Sequence, residues 1–151
     1  MGKRAQENIP SFLIAFPIGV LYGLAAIAKL QSFSNLVDTV RIAQLIPEGW
    51  VVLFAKALLF VEVCIALGCL YSPTRLIALK TALMLSGVYL GYGLWRLIEQ
   101  IPVPCTCFGV WFKMPPFLEI VLNLFLIGYL SVSLRYLLHW EPRASSLSTA
   151  S

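Results

Sequence analysis

Residues 50–70 read WVVLFAKALLFVEVCIALGCL, a stretch in which Lys56 and Glu62 are the only charges. Wound as a helix at about 1.5 Å per residue, such a stretch covers roughly the 30 Å of a bilayer's hydrocarbon. It reads as a membrane span. The tight turn Tyr71-Ser72-Pro73 follows, and then a second span over 74–97 that carries Lys80 and ends in Trp95-Arg96. Upstream, residues 11–30 form another apolar run, interrupted by Pro17 and closed by Lys29-Leu30; downstream, 117–138 form a fourth.

Composition agrees with this reading. The chain is 60% apolar and 12% charged over 151 residues, against about 45–50% and 25% in globular proteins. A core of this size leaves much apolar surface outside, so lipid is its natural solvent. The formal charge of +4 is carried without any run of clustered Lys and Arg, which excludes a nucleic-acid partner. The expected fold is all-α, an integral-membrane antiparallel four-helix bundle spanning 11–138. Residues 1–10 are expected as a cytoplasmic N-terminus and 139–151 as a disordered cytoplasmic tail. Ala26-Ile27-Ala28 resembles a signal-peptide cleavage site, but the run is long for one and three more spans follow.

Several features refine the bundle. Leu36, Val37, Val40, Ile42, Leu45 and Ile46 are spaced as on a short amphipathic helix at the membrane interface. Gly19, Gly23, Gly87, Gly91 and Gly93 offer small faces for close helix contact. Trp50, Trp95, Trp111 and Trp140 lie near span ends, as interfacial aromatics do. Asn123 is expected to hydrogen-bond a neighbouring helix. Cys64 and Cys69, five apart in one span, read as packing residues.

Four spans put both termini and the 71–74 turn on one side, with Lys3, Arg4, Arg75, Arg135 and Arg143. Lys29, Arg41, Arg96 and Lys113 spread over longer loops on the other. This modest excess favours cytoplasmic termini in the inner (plasma) membrane. The segment Pro102-Val103-Pro104-Cys105-Thr106-Cys107-Phe108-Gly109 then faces outward, where disulfides form and persist. Its prolines forbid a continuing helix. A Cys105–Cys107 bridge would be strained and therefore quick to exchange with other thiols. Closing so small a ring removes little chain entropy, which weakens a purely structural role. A fixed local disulfide or two idle thiols is the competing reading. A soft-metal site is a further one, but the sole histidine, His139, lies at the opposite end of the fourth span.

Glu62 sits mid-span, where a carboxylate marks a functional site or a buried pair. Lys80 lies at comparable depth and is its expected partner, leaving Glu62 either a proton relay or a register-fixing ion. Lys56 either snorkels or reaches Glu119.

Cys105-Thr106-Cys107-Phe108-Gly109 after the third of four spans resembles the Cys-x-Cys-Phe-Gly signature of the MauE-type methylamine-utilisation membrane proteins, part of a wider DoxX-like group. Lys29-Leu30 and Glu62 fit the same pattern. Thr106 stands where glycine is common in that family, and Leu122 where arginine is. The resemblance covers about residues 12–138. It implies an inner-membrane protein of extracytoplasmic thiol–disulfide chemistry, working with a thioredoxin-like partner on a disulfide-containing client such as methylamine dehydrogenase. Cys105 and Cys107 would be the redox pair, and a quinone in the bundle is the candidate electron acceptor, although no residues mark a site for it. The alternative is a non-catalytic subunit of a larger membrane complex, with the cysteines as a local disulfide.

Overall fold

The computed structural model describes residues 2–44, 46–99 and 115–148, and among these it is helical with no strand. Five helices follow one another: α1 (Gly2–Gln31), α2 (Phe33–Ile42), α3 (Val51–Leu70), α4 (Arg75–Ile98) and α5 (Pro116–Ser148). Single 3₁₀ turns at Glu48–Trp50 and Ser72–Thr74 lead into α3 and α4. Four stretches are long and apolar enough to cross a membrane: Phe12–Gln31, Glu48–Leu70, Ser72–Ile98 and Phe117–Leu138. The expected all-α bundle of four spans is what the chain forms. α2 is the amphipathic helix read within 31–49, but it ends at Ile42, so Ile46 falls beyond it and Leu45 lies outside the described residues. α5 continues to Ser148, through much of the segment read as an unstructured tail, since extending a formed helix costs little compared with starting one.

Why these helices pack is visible in their spacing. The buried residues of α3 are Val51, Ala55, Glu62, Ile65 and Cys69, one stripe at intervals of three, four or seven. α1 buries Ala15, Ile18, Tyr22, Ala25 and Lys29 at the same intervals. Two such stripes form a seam between antiparallel helices. Gly19 lies against Cys69 and Ala66 near one end of it, and Lys29 meets Glu62 nearer the other. A Cβ on Gly19 would stand 3.1 Å from the Cys69 Cβ, so glycine sets how closely α1 and α3 approach. Gly93 makes the comparable contact between α4 and Ile120 of α5. Gly87 and Gly91 have no neighbour within 4 Å and do not serve as packing faces.

The α3–α4 turn is held by polar groups. Thr74 donates to the Gly68 and Tyr71 carbonyls at 3.2 Å each, and Arg75 Nε donates to the Cys69 carbonyl at 3.2 Å. These bonds satisfy carbonyls that a helix end leaves without partners. The outward surface is apolar: Leu13, Phe60, Leu67, Ile77, Met84, Phe125 and Val132 are each more than 60% exposed. Soluble monomers rarely show apolar surface on this scale, whereas a bilayer covers it.

Candidate functional site

One end of the bundle, the end that carries α2, holds a chain of buried polar side chains. α1 delivers Lys29 from its last turns, α3 delivers Glu62, and α4 delivers Tyr89. The Lys29 ammonium is 2% exposed and the Glu62 carboxylate fully buried, and the two form an ion pair through Oε1. The Tyr89 hydroxyl donates to the same Oε1 and accepts from Lys29 Nζ at 2.9 Å. Lys29 also lies 4.8 Å from the Tyr89 ring centroid. Three helices thus meet on one carboxylate oxygen, while Glu62 Oε2 has no hydrogen-bond partner among the described residues. A lone charge here would be costly, and pairing is what makes a full burial tolerable.

The partner of Glu62 is therefore Lys29 and not Lys80. Lys80 precedes Tyr89 by nine residues, about half a turn around α4, which puts it on the exposed face. Lys56 is likewise exposed and does not pair with Glu119. Glu119, in the first turn of α5, instead faces Arg96 of α4, with both buried and Arg96 Nη1 at 3.6 Å from Glu119 Oε2. Arg96 stacks 5.7 Å from the Tyr92 ring. Asn123 does not cross to a neighbour; its amide donates to the Glu119 carbonyl of its own helix at 3.0 Å. One turn deeper, the Tyr22 hydroxyl donates to the Ala82 carbonyl at 3.0 Å and lies 2.9 Å from Ser86 Oγ.

Two cavities flank the Lys29–Tyr89 contact. The smaller, of about 40 Å³, lies inside the bundle between Tyr22, Lys29, Glu62, Glu119 and Asn123. The larger, of about 300 Å³, lies under α2 and is walled by Leu36, Val40 and Ala43, by Leu58 of α3 and by Tyr92. Lys29 and Tyr89 line both.

Cys105 and Cys107, together with Thr106, Trp111 and Lys113, lie outside the described residues. The chain leaves α4 at Glu99 and is described again from Pro115, so the ends of that segment adjoin the Arg96–Glu119 pair. Cys64 and Cys69 are free thiols, Cys64 exposed and Cys69 buried in the α1–α3 seam.

In the sequence, Lys29 stands out only through the family resemblance and as a loop-side charge, Arg96 only as a loop-side charge, and Tyr89 not at all. The signal was periodic. Ser86, Tyr89, Gly93 and Arg96 recur every three or four residues on α4, and Tyr22 and Lys29 stand seven apart on α1, about two turns, so each set shares a helix face.

The model of the family described as methylamine utilisation protein MauE matches residues 7–136. No curated protein and no solved structure shows a significant match.

Proposed function

Because the chain belongs to the MauE family of methylamine utilisation proteins, we propose that its part in methylamine-utilisation biogenesis is thiol–disulfide exchange by Cys105 and Cys107 on the extracytoplasmic side of the inner membrane. The observation that carries this reading is the family match over nearly all of the membrane part, joined to a Cys-x-Cys sequence between the third and fourth spans. A thioredoxin-like protein or a disulfide-containing client is the partner.

The exchange balances as follows. A partner thiolate attacks one sulfur of the Cys105–Cys107 disulfide, forming a mixed disulfide and releasing the other sulfur as a thiolate. The partner's second thiolate then attacks the mixed disulfide, and the partner leaves oxidised by two electrons. Cys105 and Cys107 remain as the dithiol. The bundle's contribution is support: Arg96 and Glu119 join the helix ends from which the cysteine segment departs. Replacing Cys105 and Cys107 together by serine is expected to abolish disulfide formation in the client while leaving the amount of membrane-inserted protein unchanged. A fully active double variant would exclude the relay.

A further inference from the structure

The 300 Å³ cavity has the size, the opening and the polar group of a ligand site. Pockets that hold small molecules run about 300–1,000 Å³, mostly apolar with a few polar groups. Phe54 and Val88, which line it, are exposed on two of the spanning stretches, so the cavity borders the surface that faces hydrocarbon. Its inner wall carries Lys29, which is 2% exposed. An ammonium has three N–H donors. Lys29 spends one on Glu62 and one on Tyr89, which leaves the third without an acceptor among the described residues. The Tyr89 ring lies 4.8 Å from it, and Tyr92 lines the same cavity.

We propose that this cavity binds a lipid-soluble quinone, with Lys29 donating to one ring carbonyl and α2 covering the ring. A border on hydrocarbon selects a ligand that travels in the bilayer. The spare ammonium proton selects one with a hydrogen-bond acceptor, which a plain acyl chain lacks. Among membrane-soluble carbonyl compounds, a quinone also answers the chemical need of the thiol relay. The reduced Cys105/Cys107 pair must give up two electrons and two protons to close its disulfide again, and a quinone takes up both as the quinol. A cation held beside the carbonyl stabilises the negative charge that develops there during reduction. Turnover of the bound quinone rests on the thiol-exchange reading above; occupancy of the cavity does not.

The test uses the full chain in phosphatidylcholine nanodiscs, titrated with decylubiquinone and followed by quenching of intrinsic tryptophan fluorescence. Decylbenzene, which has the tail without the carbonyls, is the competitor. Saturable quenching that decylbenzene does not displace is expected. Ala43→Phe, which fills the cavity from α2, and Lys29→Met are each expected to weaken binding by about tenfold or more, the scale of one hydrogen bond from a charged donor. Should either fail to fold, Val40→Phe and the double variant Lys29→Met/Glu62→Gln carry the same comparison. Unchanged affinity in the variants, or equal displacement by decylbenzene, would overturn the site. Protein that binds the quinone but oxidises no dithiol would sink the relay and leave the site standing. Protein that oxidises dithiols yet binds no quinone would do the reverse.

Discussion

At the scale of single residues, the organising interaction is a carboxylate shared by Lys29 and Tyr89 inside an apolar bundle. Lys29→Met leaves Glu62 as an uncompensated buried charge, and about 3 kcal/mol of stability is expected to go with it. Lys29→Met combined with Glu62→Gln removes both charges together and should recover most of that loss. Thermal unfolding in detergent checks both, and the pair should be strongly non-additive because the two groups touch. Tyr89→Phe keeps the ion pair but loses a hydrogen bond to a charged group, with an expected cost of about 1.5–3 kcal/mol. Glu62 itself was legible in the sequence as a lone carboxylate in mid-span. Its partner was not. Depth along the helix favoured Lys80, but depth ignores direction, and the face of α4 that points inward carries Tyr89 instead.

At the scale of elements, the spans were readable because apolar length is a strong signal and little else forms in hydrocarbon. The helical extensions of α1 back to Gly2 and of α5 on to Ser148 were not. α2 was readable as well, since its apolar residues follow a helical period. The glycines were only half readable. Composition marks all of them as small, but among the described residues Gly19, Gly23, Gly68 and Gly93 lie against a neighbouring helix, whereas Gly87 and Gly91 face open space. Gly19→Leu is therefore expected to push α1 from α3 and lower the unfolding temperature sharply, while Gly87→Ala and Gly91→Ala leave it nearly unchanged. The same thermal measurement decides this. Equal effects at Gly19 and Gly87 would contradict the packing described. The Arg96–Glu119 pair joins α4 to α5 across the ends of the cysteine segment. It escaped the sequence because Arg96 looked like a flanking charge and Glu119 was matched by depth to Lys56, which lies on an exposed face.

At the scale of the whole molecule, the described structure is a bundle whose buried polar residues gather towards the end bearing α2, the end from which the cysteine segment also leaves. The sequence carried the number of spans, which the four long apolar helices match. It could not reveal a cavity between α2 and the bundle, which exists only once four helices are assembled. The proposed orientation places that end outside the cytoplasm. In whole cells reduced beforehand, a membrane-impermeant maleimide should label Cys105 and Cys107 but not a cysteine placed at Ser148; the opposite pattern would invert the orientation. The central claim, that the cysteine pair exchanges with a partner's thiols, is tested most directly by trapping. The exchange is reversible, and in a Cys107→Ser variant the Cys105 thiolate still attacks an oxidised partner's disulfide, while the Cys107 thiol that would resolve the resulting mixed disulfide is gone. Expressed with its native partners and analysed under non-reducing conditions by mass spectrometry, it is expected to yield Cys105 joined to a cysteine of a thioredoxin-like protein or a client, in a species that dithiothreitol dissolves. Recovery of Cys105 only as a free thiol, with client disulfides still forming normally, would contradict the account.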